Sequence, residues 1–349
     1  MKRLLIAAAC LGTYAVAAEA QSNITVYGIV DTSVRYTTNQ NAAGKGKLEE
    51  TDGMLSGSRL GFKGNESLGG GLSANFTLEA GFNPDTGVSG QGGRLFGRQS
   101  TVGLSGAFGN IILGRKYTVA HEMMTSYDAF FFANQAIVGY QGGNYTGLRQ
   151  DNQLQYNVKL SQFTVALGHT FGEQAGNFTT GSSNGATLGY DNGPVHLGAA
   201  FTAMNNIGAE YFGTAKSVLS KQTVWSIGGT YTFSAVKYYL GYTNSKLDAA
   251  DYKNKVYYVG ANVTLAPGLN LIGTLNYDKL NHAGTDGNRF MTALMLDYFL
   301  SKRTDIYVEA DFNKFSGAWS TLANTPAFST PMYGNSNRAG MMAGIRHTF

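Results

Sequence analysis

The chain has 349 residues, among them 47 glycines, 5 prolines and a single cysteine, and a formal net charge of +4. Charged residues make up only 14%, while 21 tyrosines and 20 phenylalanines together outnumber the 26 lysines and arginines, a balance unlike that of ordinary soluble domains. Such a small, dispersed charge excludes a nucleic-acid partner, and one cysteine excludes a disulfide framework or a thiolate metal site.

Lys2 and Arg3 precede an apolar run from Leu4 through Val16, followed by Ala18-Glu19-Ala20. These are the basic, apolar and small-residue regions of a secretory signal peptide. Cleavage is expected after Ala20, so that residues 1–20 form the signal and 21–349 a single mature domain. Its removal takes the basic residues from 26 to 24 and the acidic ones from 22 to 21, leaving about +3. Cys10 leaves with it. A lipoprotein signal ending at Cys10 is the competing reading, but Ala7 stands where leucine is wanted and the apolar stretch before it is very short.

Beyond residue 20 no apolar run approaches the ~18 residues that a membrane-spanning helix needs. From Ile24 onward the recurring unit is instead a segment of about ten residues alternating in polarity, the period of a strand between two environments. Over 222–233, Trp225, Ile227, Gly229, Tyr231 and Phe233 share one face, and Gln222, Ser226, Gly228, Thr230 and Thr232 the other. The last segment repeats this, with Ala339, Met341, Ala343, Ile345 and Phe349 opposite Arg338, Gly344, Arg346 and Thr348.

The connections separate a soluble sandwich from a barrel. Tight ones at Ala107–Gly109, Asp191–Pro194, Ser234-Ala235, Ala266–Gly268 and Ser301–Thr304 alternate with long polar ones at Thr38–Gly57, Phe82–Leu95, Tyr117–Leu148, Asn205–Lys221 and Phe315–Ser336. Turns at one end and loops at the other predict an all-β, antiparallel transmembrane barrel of about sixteen strands. Gly69-Gly70-Gly71 lacks the lysine and hydroxyl of a phosphate loop. The five histidines, His121, His169, His196, His282 and His347, have no metal-ligand spacing, and no Gly-x-Ser-x-Gly elbow is present. Neither a cofactor nor an enzymatic activity is therefore expected.

Several segments resemble the trimeric general porins of Gram-negative bacteria, especially the beta-proteobacterial branch: Val26-Tyr27-Gly28, Ser58-Arg59-Leu60-Gly61-Phe62-Lys63-Gly64, the run Arg98–Gly106, Leu113-Gly114-Arg115, and the terminal Gly344–Phe349. The resemblance implies a homotrimer in the outer membrane, exported through the periplasm, in contact with outer-membrane lipids and delivered by the barrel-insertion machinery, which reads Phe349. It implies that the third long loop, Tyr117–Leu148, folds inward and narrows the lumen. Opposite the loop it places a basic wall of Arg59, Arg98 and Arg149, with Arg115 and Lys63 beside them; Glu122 and Asp128 are the loop's acidic residues. The loop lacks the Pro-Glu-Phe-Gly-Gly motif of the enteric branch, and Ile29 stands where some relatives carry another lumen lysine.

Alternation supports part of this, because Arg59, Gly61 and Lys63 share a face opposite Leu60 and Phe62. Arg98 shares parity with Val102 and Leu104 instead, which under the resemblance turns that strand's outward face toward a trimer contact. The function implied is passive diffusion of small hydrophilic solutes and ions through a water-filled pore with a mild anion preference. The alternatives are a substrate-specific channel for a sugar or organic acid, with Tyr127, Tyr140 and Tyr145 as a stacking path, and a barrel with an adhesive or enzymatic surface role.

Overall fold

The computed structural model describes residues 23–133, 145–207, 220–249, 251–324 and 332–349. The expected signal and Tyr140 lie outside these residues. The first nine strands are β1 (Asn23–Thr37), β2 (Lys47–Asp52), β3 (Arg59–Gly69), β4 (Leu72–Gly81), β5 (Gln99–Gly106), β6 (Gly109–Tyr117), β7 (Arg149–Leu160), β8 (Phe163–Thr170) and β9 (Ser183–Asn192). The rest are β10 (Val195–Ile207), β11 (Ser220–Phe233), β12 (Val236–Leu247), β13 (Tyr252–Ala266), β14 (Leu269–His282), β15 (Thr285–Phe299), β16 (Thr304–Gly317) and β17 (Asn337–Thr348).

Successive neighbours pair antiparallel, and β17 returns to β1 from Ile29↔Thr348 to Thr37↔Gly340, which closes the sheet. The short β2 does not add a position. It pairs with the upper half of β1 (Thr37↔Lys47 to Thr32↔Asp52), and β3 pairs with the lower half (Ile29↔Arg59 to Asn23↔Asn65). One barrel strand is thus interrupted at 53–58, where Asp31 accepts the Leu55 N–H at 3.1 Å and the Ser58 hydroxyl accepts the Asp31 N–H at 2.9 Å. Sixteen positions surround the barrel, as the spacing of turns and loops predicts.

Turns of a few residues join the strands at one end, as at 107–108, 161–162 and 193–194. At the other end the connections are long, including 171–182 as well as those expected. Two there are short, 248–251 and 283–284. The faces follow the pattern: Trp225, Ile227, Tyr231 and Phe233 are exposed on β11, while Gln222, Ser226 and Thr230 are buried inside. Aromatic rings mark two levels of the outer wall, as they do where a barrel meets the two membrane interfaces. Toward the loop end Trp225, Tyr242 and Tyr257 pack at centroid distances of 5.1 and 5.0 Å; toward the turn end Phe163 and Tyr190 pack at 5.1 Å. Inside the loop end of β13–β16, a short helix over Ala318–Ala323 buries Trp319 and Leu322 against Leu280, Met291 and Phe315.

The closing contact explains two residues of the sequence motifs. Gly28 and Phe349 exchange backbone hydrogen bonds of 3.1 Å in both directions, and the Phe349 ring lies over Gly28 so closely that a Cβ there would be 2.3 Å from its Cζ. Deleting Phe349, or making Gly28→Leu, should lower the yield of heat-modifiable, folded barrel in outer membranes several-fold without changing synthesis. Normal folded levels of both variants would show that this contact is dispensable.

Candidate functional site

Three of the five basic residues singled out in the sequence come together. Arg59 opens β3 on the inward face, with Ile29 as its cross-strand partner, and its Nε donates to the Gly57 carbonyl at 2.9 Å. Glu79 on β4 accepts from Arg98 Nε at 2.7 Å and from the Tyr27 hydroxyl at 3.0 Å. Arg98 reaches so near to Gly57 that a Cβ there would be 2.9 Å from its Nη1. Arg149 lies 4.0 Å above the Tyr117 ring, donates to that hydroxyl, and shares the electrostatic field of Arg59, Arg98 and Glu79. One carboxylate therefore stands among three guanidinium groups. Lys63 Nζ is 5.2 Å from the centre of the Tyr27 ring.

Arg115 is separate. It donates to the Gly97 carbonyl at 2.7 Å and to Asp151 at 2.8 Å, and Asp151 also holds Arg94 at 2.7 Å. The parity argument for Arg98 does not carry through, because β5 begins only at Gln99 and the chain bends before it. Val102 and Leu104 face out, 58% and 45% exposed, while Arg98 is 5% exposed.

Of the described residues that follow β6, a helix contacts β8–β11, Ala129 lies beside Gly260 on β13 and Tyr145 meets β14. This helix, α1 (Val119–Thr125), starts at Thr118, whose hydroxyl accepts the His121 N–H at 3.1 Å and donates to the Thr146 carbonyl at 2.6 Å. Glu122 stands in the first turn, where the helix dipole favours an acid, and pairs with Lys116 at 2.9 Å. Glycine makes room beneath: Cβ atoms at Gly198 and Gly228 would be 2.8 and 2.3 Å from the Tyr127 ring. The Tyr127 hydroxyl donates to Ser226 at 2.9 Å, and Tyr145 donates to Asp278.

Asp128, expected as an acid facing the basic wall, is instead 1% exposed and accepts the N–H groups of Phe130 and Phe132, both at 3.0 Å. Burial pushes its pKa up to about 6, whereas these backbone bonds favour the charged form. It shapes the segment and presents no carboxylate to water. His121 stacks on Tyr117 at 4.3 Å, and burial together with Arg149 and Arg98 pushes its pKa down to about 3, so at neutral pH it adds no charge.

Ser126 Oγ, His196 and Asp191 form a hydrogen-bonded row, with 2.7 Å from Oγ to Nε2 and 2.7 Å from Nδ1 to the carboxylate. The serine hydroxyl is committed to the Met123 carbonyl at 2.6 Å, and its N–H to the same oxygen at 3.1 Å. The row ties the end of α1 to the barrel wall. Sequence reasoning also missed Tyr27, Glu79 and Tyr117. For Glu79 the signal was present, since it shares parity with Asn75 and Thr77 against Phe76 and Leu78.

A closed sixteen-position barrel with an apolar outer wall and a polar inner one defines an outer-membrane channel protein. The sequence matches the Gram-negative porin family over residues 7–318, and the chain belongs to that family. It is 32% identical to outer membrane porin protein 32 of Delftia acidovorans, over 100% of both chains. It is 29% identical to an outer membrane porin of Bordetella pertussis, over 90% of this chain and 94% of that one. The anion-selective porin from Comamonas acidovorans superposes with a TM-score of 0.79 and 29% identity, over 94% of this chain and 100% of that one. The protein is thus an outer-membrane porin of beta-proteobacterial type.

If Glu79 is the acid that moderates the arginines, Glu79→Gln should move the reversal potential in a potassium chloride gradient toward stronger anion preference, and Asp128→Asn should leave it unchanged. The reverse pattern would assign the moderating charge to Asp128.

Proposed function

We propose that the barrel passes small hydrophilic solutes and ions by passive diffusion, and that Arg59, Arg98 and Arg149 give it a mild preference for anions. The working unit is a homotrimer, the assembly that the family resemblance implies, and the segment between β6 and β7 narrows the water path. The observation that carries this reading is the shared carboxylate. Three guanidinium groups share the carboxylate of Glu79, so this cluster keeps net positive charge. The anion selectivity stated for the Comamonas porin agrees with that sign.

Two unit charges ~8 Å apart interact by ~0.5 kcal/mol in bulk water and ~2 kcal/mol at an effective dielectric near 20. A narrow lumen lies between these limits, so several arginines together exceed the thermal energy of about 0.6 kcal/mol, whereas one alone need not. Screening weakens the effect, because the Debye length falls from ~10 Å at 0.1 M to ~3 Å at 1 M. Replacing Arg59, Arg98 and Arg149 together by glutamine should therefore shift the reversal potential toward cations, more at low salt than at high. A folded, inserted triple variant with the parent reversal potential at low salt would mean that these residues do not set ion choice.

A further inference from the structure

The arginines of the barrel are held in two different ways. Arg98 pairs with Glu79 at 2.7 Å, Arg115 with Asp151 at 2.8 Å and Arg35 with Asp311 at 2.6 Å, so each has a carboxylate against its charge. Arg149 does not. Among the described residues no carboxylate lies within ion-pair distance of it, and its buried Nε has no hydrogen-bond acceptor. Its guanidinium lies instead 4.0 Å above the centre of the Tyr117 ring and donates to the Tyr117 hydroxyl. An aromatic face attracts a cation through its quadrupole and carries no opposite charge, so this hold leaves the positive charge of Arg149 in place.

Tyr117 is itself propped. His121 stacks on it with centroids 4.3 Å apart and planes 14° from parallel, and two groups this close cannot share one face, so the phenol is sandwiched. The imidazole is fixed in turn: its Nδ1 is 2.9 Å from Thr146 Oγ1, which accepts the Leu148 N–H at 3.1 Å, and Phe132 packs edge-on against it at 5.3 Å. Tyr117 closes β6 and Arg149 opens β7 directly opposite. Both ends of the connection between these strands therefore meet its helix in one column of guanidinium, phenol and imidazole. His121 is uncharged at neutral pH, so it supports the ring without competing with Arg149 for the quadrupole. Nothing else in the cluster would keep Arg149 there, since it stands in the repulsive field of Arg98 and Arg59, and an arginine gives up rotamer entropy when it is fixed.

We infer that Tyr117 is a positioning residue for ion choice: its ring and hydroxyl, propped by His121, hold the Arg149 guanidinium beside Arg59, Arg98 and Glu79 without neutralising it. The inference rests on the proposed role of the arginines in ion choice and adds the residue through which one of them is set. Tyr117 acts only through Arg149, so its effect vanishes when residue 149 carries no charge.

The test is a double-mutant cycle read as the chloride-over-potassium permeability ratio, from reversal potentials of the purified porin in planar bilayers at low salt, where screening is weakest. Arg149→Gln sets the scale. Tyr117→Leu should lower the ratio by most of the change that Arg149→Gln produces, and Tyr117→Phe, which keeps the ring, by clearly less. His121→Leu, which removes the prop and leaves Tyr117 and Arg149 in place, should move it in the same direction. In the Arg149→Gln background neither Tyr117→Leu nor His121→Leu should add anything. Heat-modifiable folding and single-channel steps identify the variants whose barrels are intact. The parent ratio in folded Tyr117→Leu, beside a lowered ratio in Arg149→Gln, would overturn the positioning role and leave the arginine reading standing; so would a Tyr117→Leu shift that persists in full without Arg149. Equal losses in Tyr117→Phe and Tyr117→Leu would overturn the hold by the ring. If Tyr117→Leu does not insert, His121→Leu decides: the parent ratio there, or a shift that survives Arg149→Gln, would overturn the column. An unchanged ratio in Arg149→Gln itself would remove Arg149 from ion choice, and this inference with it.

Discussion

Hydrocarbon offers a backbone no hydrogen-bond partner, and an unpaired N–H or carbonyl there costs several kcal/mol. Every strand must therefore have a neighbour on both sides, and the pairing of β17 with β1 completes this for the described strands. The contact of Phe349 with Gly28 lies at that seam. The interruption between β2 and β3 is tolerated because both pieces keep β1 as a partner and the intervening Leu55 and Ser58 both bond to Asp31.

Closure also fixes what each side chain meets. Once the even-period pattern puts Leu60, Val102 and Ile227 outside, Arg59, Glu79 and Ser226 are obliged to point inward. The inner wall then divides its tasks. Glycines and hydroxyls on β10 and β11 seat Tyr127 and the end of α1, and the opposite part of the wall, on β1, β3 and β4, carries Tyr27, Arg59 and Glu79. Arg98 and Arg149 join them from the bases of two long connections, so the charge cluster depends on loop placement as well as on strand register.

That division explains how far the sequence could be read. The barrel was legible because alternation and turn spacing report two environments directly, as the faces of β11 and β17 illustrate. Arg59 and, on inspection, Glu79 followed from parity on regular strands. Arg98 did not, since it sits one residue before β5 where parity has no meaning, and Arg115 was lost to Asp151 because the two meet only across β6 and β7. Asp128 could not be assigned from its type alone: a carboxylate bonded to two backbone N–H groups reads the same in sequence as one facing water.

The central claim is that the closed wall encloses a continuous water path. Single-channel recording of the purified protein in a planar bilayer tests it most directly. The account predicts insertion events of three equal conductance steps, with an amplitude that rises with the conductivity of the bathing salt. Folded, inserted protein that gives no conductance steps at any salt concentration would contradict it.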